Sequence, residues 1–140
     1  MKQLMILFLA IFALAACEKP TVGFLDVKNA AFTPDTLEIR TVLDPKKDAK
    51  REKNQGRGVS GAIQSVLGTD PKVYEFVRVT STAGEEAASL FASELKVYGK
   101  SRMEVPLQPA APKGSYRITL KVRNEGYSAL LPDIFTFIIK

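Results

Sequence analysis

The sequence predicts a mainly β fold, a two-sheet sandwich of about seven strands with one or two short helical insertions. Three observations lead there. Segments of apolar and polar alternation recur along the chain, clearest where Tyr116, Ile118, Leu120 and Val122 alternate with Arg117, Thr119, Lys121 and Arg123. Turn residues such as Asn124-Glu125-Gly126 punctuate these segments. Helical spacing is confined to two short stretches. Without its first 16 residues the chain keeps 124, enough for one domain with a real core and too few for two.

Residues 1–16 read as a signal peptide. Lys2 supplies a positive start, and Leu4 to Ala16 form an unbroken apolar run. That run is shorter than the ~20 residues a spanning helix needs and suits the hydrophobic region of a secretory signal. It closes on Leu14-Ala15-Ala16-Cys17, which resembles the lipobox of bacterial lipoprotein precursors. The resemblance covers the export segment and implies cleavage before Cys17, whose sulfur receives a diacylglyceryl group. A three-chain lipid anchor, at ~0.8 kcal/mol per buried methylene, holds in effect permanently. Cys17 is the single cysteine, so an intramolecular disulfide is excluded and the exported domain must rely on its core. Glu18 stands where inner-membrane lipoproteins of two-membrane bacteria commonly carry aspartate, so the resemblance implies the outer membrane, on its periplasmic face. Residues 17–23 are then a lipidated N-terminus and a short tether. At ~3.5 Å per extended residue this tether reaches about 20 Å, so the domain expected over residues 24–140 stays close to its membrane. The Ser/Gly/Pro-rich stalk that projects many surface adhesins outward is missing from the sequence.

Strand-like segments follow in order. Phe24 to Lys28 opens the domain, and Leu37, Ile39, Thr41 and Leu43 alternate with Thr36, Glu38, Arg40 and Val42 as a half-buried strand would. Val59, Ala62, Ile63, Val66 and Leu67 recur at helical spacing, with Gly68 placed to end a short helix. Tyr74 to Thr80 is the next strand. Thr82-Ala83-Gly84-Glu85 fits a capping box opening a second helix with Ala87, Leu90, Phe91 and Leu95 on one face. Leu95 to Tyr98 competes with the end of that helix as a strand. Met103 to Leu107 is a further strand, and Pro106 marks it as an edge strand or a bulged one. Ile134 to Lys140, rich in Phe and Ile, is the last.

Gly114-Ser115-Tyr116-Arg117-Ile118-Thr119-Leu120-Lys121-Val122 resembles the penultimate strand of immunoglobulin-like and related bacterial sandwiches, where a glycine turn precedes a tyrosine and alternating apolar residues. The resemblance covers about 25 residues and implies an immunoglobulin-like arrangement. The tryptophan and cysteine pair of antibody domains are missing from the sequence. Such sandwiches host many unrelated functions, so the likeness speaks of fold alone.

The chemistry of the chain is largely one of exclusions. Histidine is absent, which removes His-based triads, His-dependent zinc sites and the copper site of cupredoxin-like sandwiches. With Cys17 lipidated no thiol nucleophile is left. Ser93-Glu94-Leu95-Lys96 matches the S-x-x-K of penicillin-binding enzymes, but the S-x-N element is missing and Lys113-Gly114-Ser115 is no substitute for the K-T-G strand. A surface helix end accounts for Ser93 and Lys96. Gly56-Arg57-Gly58-Val59-Ser60-Gly61 fits G-x-G-x-x-G, yet a charged loop precedes it in place of a buried strand and no βαβ unit follows. A flexible turn into the short helix explains it. Gly99-Lys100-Ser101 resembles the end of a P-loop, but Glu94 stands where its first glycine must be. Acidic residues do not fall at calcium-loop spacing, and Glu85-Glu86 are first-turn helix acids. We therefore expect no catalytic residue, no metal and no cofactor.

One feature keeps a functional expectation. Lys46, Lys47, Lys50, Arg51, Lys53 and Arg57 oppose only Asp48 and Glu52, a net +4 in one segment against +5 for the whole chain. This basic loop can meet phosphorylated lipid, phospholipid headgroups or an acidic protein, each cation contributing up to ~1 kcal/mol near an anionic surface. As a mobile connection it would serve solubility alone. It carries no aromatic for stacking on bases, and the expected compartment holds no nucleic acid partner. The reading is a non-enzymatic binding or scaffold lipoprotein of an envelope assembly, docking a protein partner through a sheet edge or the basic loop. The alternative is a small inhibitor of an envelope-degrading enzyme such as a lysozyme, which the basic loop disfavours because such lysozymes are themselves basic.

Overall fold

The structure is a computed structural model that describes Gln3 and residues 23–40, 42, 44–53 and 57–140, with the backbone alone at 51 and 52. The signal segment, Cys17 and the rest of the tether before Gly23 lie outside the described residues, as do Thr41 and Leu43 of the expected second strand.

Nine strands and two helices are described: β1 (Leu25–Asp26), β2 (Thr36–Ile39), α1 (Ala49–Lys53), β3 (Gly58–Val59), β4 (Leu67–Gly68), β5 (Val73–Ser81), α2 (Glu85–Glu94), β6 (Lys96–Tyr98), β7 (Arg102–Val105), β8 (Gly114–Arg123) and β9 (Ser128–Ile139). Seven of the strands make the two main sheets, ordered β2-β9-β8-β5 and β3-β7-β6, while β1 and β4 form a separate pair. Neighbours are antiparallel except β2 and β9, which run parallel with Thr36 opposite Thr136 and Ile39 opposite Ile139. The run β5-β8-β9 in one sheet and β3-β7-β6 in the other reproduces the C-F-G and B-E-D order of the immunoglobulin sandwich.

The alternation in β8 is what closes the core. Tyr116, Ile118, Leu120 and Val122 are fully buried, and their neighbours Phe135, Phe137 and Ile139 on β9 face the same interior. Opposite Ile118 to Leu120 the extra residues of an irregularity in β9 bring Asp133 to Thr119 on the other face of β8, where the buried threonine hydroxyl accepts from the Asp133 amide at 3.1 Å. Aromatic rings run through the interior in a chain. Phe32 meets Phe135 edge-on at 5.1 Å, Phe135 meets Phe137 at 4.8 Å, Phe137 meets Phe91 at 5.3 Å, and Phe91 stacks on Tyr116 at 4.5 Å. The Tyr116 hydroxyl donates to the Pro112 carbonyl four residues upstream, the tyrosine corner of immunoglobulin-like domains.

Several expectations fail, each for a physical reason. No helix forms over Val59 to Leu67. Val59 pairs with Glu104, and Ser60 exchanges two bonds with Met103, amide to carbonyl at 2.8 Å and Met103 amide to Ser60 hydroxyl at 2.9 Å. Gln64 bridges to Ala31, and Leu67–Gly68 pair with β1. A helix this short is marginal in water, and Val59, Ile63 and Val66 are β-branched among glycines and serines, so sheet partners win. Gly58, expected in a flexible turn, is buried in β3, where the Leu37 and Val105 side chains approach to within 3.3 Å of where a Cβ would sit.

The capping box before α2 is likewise absent. The N-cap is Gly84 at φ +103, with no side-chain cap, because the Thr82 hydroxyl accepts instead from the Ser115 amide of β8 at 3.0 Å. Of the expected face, Ala87 and Phe91 are buried and Leu95 packs against the core, whereas Leu90 is 45 % exposed and Ala88 is buried in its place. Finally, β7 is the middle strand of its sheet and not an edge, and Pro106 lies one residue past its end.

Candidate functional site

Among the described residues β2 has one neighbour, β9, and an open edge on its other side. Ile39 accepts at its carbonyl from the Lys140 amide, and Asp35 from the Thr136 amide, both at 2.9 Å. Odd-numbered residues therefore turn their backbone groups toward β9, and by strand alternation Thr36 and Glu38 turn theirs to the open side. Across that edge lies β3 of the other sheet, close enough for Gly58 to sit against Leu37 and Ile39.

Between the two edges is a cleft of about 510 Å³ lined by Leu37, Glu38, Arg40, Lys47, Asp48, Lys50, Arg57 and Val59. The basic segment forms one wall of it. The expected loop is partly helical, with α1 over Ala49–Lys53, and it is fastened to the strand beside it. Arg40 makes the fastening: its Nη1 reaches Asp48 Oδ1 at 3.1 Å and its Nη2 reaches Glu38 Oε2 at 3.0 Å. Asp48 is buried and its other oxygen accepts from the Asp44 amide at 2.8 Å. The carboxylate is thus the hub of the turn leading into α1.

Of the six basic residues singled out from sequence, Lys47, Lys50 and Arg57 line the cleft, while Lys46 and Lys53 are exposed outside it. The side chain of Arg51 lies outside the described residues. Arg57 is engaged, with Nη1 at 2.6 Å from Glu104 Oε1 on β7. Lys47 and Lys50 are exposed and make no ion pair among the described residues. Lys140 completes the outer rim, its Nζ 3.0 Å from Glu38 Oε1. That hydrogen bond, with the charges of Lys140 and Arg40, holds the Glu38 carboxyl below its ordinary range. The lining thus sets four cations against two carboxylates. It can hold a polyanion electrostatically, and among the described residues it presents no nucleophile with a base beside it.

Arg40 is the part that the sequence hid. It falls on the polar side of an alternating strand, where a charge reads as a solvated face, and only the fold brings it to Asp48. Its one local signal is the acidic residue eight positions on, inside an otherwise basic run.

The cleft and the chain's entry lie at opposite ends of the domain. Phe24 is held by the Asn124 side-chain amide at 2.8 Å and by Thr69, at the far end of β8. Leu37 to Ile39 lie level, through β9, with the beginning of β8 at Tyr116 to Gly114. At ~3.3 Å per residue the stretch from Tyr116, level with Leu37, to Asn124, which holds Phe24, spans about 25 Å.

The rejected S-x-x-K pair is ordinary surface. The Ser93 hydroxyl donates to the Leu90 carbonyl at 2.6 Å, and Lys96 opens β6, exposed. A second cavity of about 480 Å³ lies beside Asp70, Lys72, Tyr74 and Lys100, but its half-buried lysine, Lys72, is already paired with Asp70 at 2.6 Å. Among the described residues no three Asp, Glu, Cys or His lie together as a metal site requires, and no helix is long and apolar enough to cross a membrane. No family model matches the chain, and no curated protein or solved structure matches it.

Proposed function

We propose that this chain is an envelope lipoprotein whose sandwich is a non-enzymatic binding module for an acidic partner. In this reading Cys17 carries the lipid, residues 18–23 are the tether, and the membrane is the outer one, on its periplasmic side. The observation that carries the binding role is the cleft beside β2, where Lys47 and Lys50 stand without ion-pair partners among the described residues on a segment fixed by Asp48. A segment serving solubility alone has no need of a buried carboxylate to fix its path.

The opposed ends of the domain favour a protein partner over the headgroups of the anchoring leaflet. A tether of about 20 Å leaves from the Phe24 end, and the cleft lies ~25 Å beyond it. With the domain standing on its tether, the cleft faces away from the anchor.

Labelled palmitate tests the anchor: the wild-type chain incorporates it and the Cys17→Ala variant does not. Absence of label in the wild type overturns the lipoprotein reading. Polyglutamate tests the cleft: the wild-type chain binds it, and Lys47→Glu with Lys50→Glu weakens binding at least about tenfold, since each cation contributes up to ~1 kcal/mol. Equal binding by the two proteins overturns the role of the cleft.

A further inference from the structure

The open edge of β2 and the basic cleft are one place. Glu38 turns its backbone amide and carbonyl outward there, and the same residue lines the cleft with Lys47 and Lys50. Unpaired edge groups are a template for another strand, and native proteins usually cover such an edge or block it with a bulge or proline. Thr36 to Ile39 has neither.

We propose that the cleft takes an extended acidic segment of a protein partner, which adds to β2 as a fifth strand of the four-stranded sheet. The proposal rests on the binding-module reading above and names the ligand of that site. Backbone pairing to β2 supplies register, through the outward amides and carbonyls of Thr36 and Glu38. Alternate side chains of the incoming strand face the gap between the sheets, where Leu37 and Val59 line the cleft. Lys47 and Lys50 supply charge for its carboxylates.

The state of the arginines favours carboxylates over phosphate. Arg40 and Arg57, whose guanidinium forks suit bidentate phosphate contacts, already hold carboxylates: Asp48 and Glu38 in one case, Glu104 in the other. The cations left for a ligand are lysines, which act as point charges along an extended acidic chain.

The test uses the full chain in mild detergent and three probes: a peptide of alternating Val and Glu, polyglutamate of equal charge, and phosphatidylglycerol vesicles. The alternating peptide should bind at least tenfold tighter than polyglutamate. Glu38→Pro, which removes the outward amide, should bring the two to equal affinity. Should the proline variant fail to fold, hydrogen exchange decides: the Glu38 amide of the wild-type chain gains protection when the alternating peptide is added. Equal affinities in the wild type, or no added protection at Glu38, overturn strand addition and leave the charge-based reading standing. Failure of both acidic probes to bind overturns the binding-module reading itself. Vesicles that displace the peptide at equal charge overturn the choice of a protein segment.

Discussion

Arg40 and Asp48 face each other across eight residues of chain, Nη1 to Oδ1 at 3.1 Å, and this contact joins the end of a strand to the start of a helix. It makes a wall out of what the sequence presents as a charged connection. Asp48 is 3 % exposed and Arg40 about a third, so the carboxylate carries most of the desolvation and the guanidinium keeps some water.

Removing the carboxylate should therefore loosen the whole segment. Asp48→Ala leaves Arg40 and the Asp44 amide without this acceptor and should cost about 2–3 kcal/mol, read from the urea midpoint. Hydrogen exchange should quicken over residues 44–53 and not in β8. A variant as stable as the wild type would mean that Asp48 does not organise the turn.

The face of α2 can be checked by a pair of truncations. Phe91, fully buried against Tyr116 and Phe137, should cost about 3–5 kcal/mol as Phe91→Ala. Leu90→Ala, at an exposed position, should stay within ~1 kcal/mol. Comparable thermal shifts for the two would restore the face that periodicity alone predicts.

Tyr116→Phe keeps the ring stack and deletes the bond to the Pro112 carbonyl, for a loss of roughly 1–1.5 kcal/mol at neutral pH. Burial raises the Tyr116 hydroxyl above its ordinary value near 10.0, so the folded chain keeps a proton that the unfolded chain gives up. Wild-type stability should then fall as pH rises above about 10, and the decline should be shallower in Tyr116→Phe. Tyr74, also raised by burial, supplies a residual slope in both proteins.

At the acid end the sign reverses. Glu38 beside Lys140, Glu75 beside Arg123 and Asp70 beside Lys72 are all lowered, first of all by those hydrogen bonds. Their contribution is complete above the ordinary carboxylate values, 4.5 for Glu and 3.8 for Asp, and is lost as pH falls through the lowered ones. Thermal midpoints should drop below about pH 4.5, and Lys140→Ala should flatten part of that slope. An unchanged slope would mean that the Lys140 contact is not kept in solution.

Residues whose role is set by local period were legible from sequence. Tyr116 to Val122 alternate because one face of β8 meets the core, and the paired apolar residues of β9 follow from it. Val59 to Leu67 misled because helical spacing arises there by coincidence in an extended segment whose partners, Met103, Ala31 and Asp26, lie far off in sequence. Pairing of β2 with β9 spans a hundred residues and leaves no local trace. The candidate cleft was half visible. Lys47, Lys50 and Arg57 announced themselves as a cluster, whereas Arg40, Glu38 and Leu37 join them only because β2 is an edge.

The position of β9 has a bearing on how the fold is reached. Ser128–Ile139 is an inner strand, holding β2 on one side and β8 on the other. A chain emerging N-terminus first, from a ribosome or through a translocation pore, presents β2, β5 and β8 long before their common neighbour arrives. Such long-range pairing is slow and cannot close early. The placement of a single strand therefore leaves the four-stranded sheet open, and its apolar faces liable to aggregation, until the last strand has arrived.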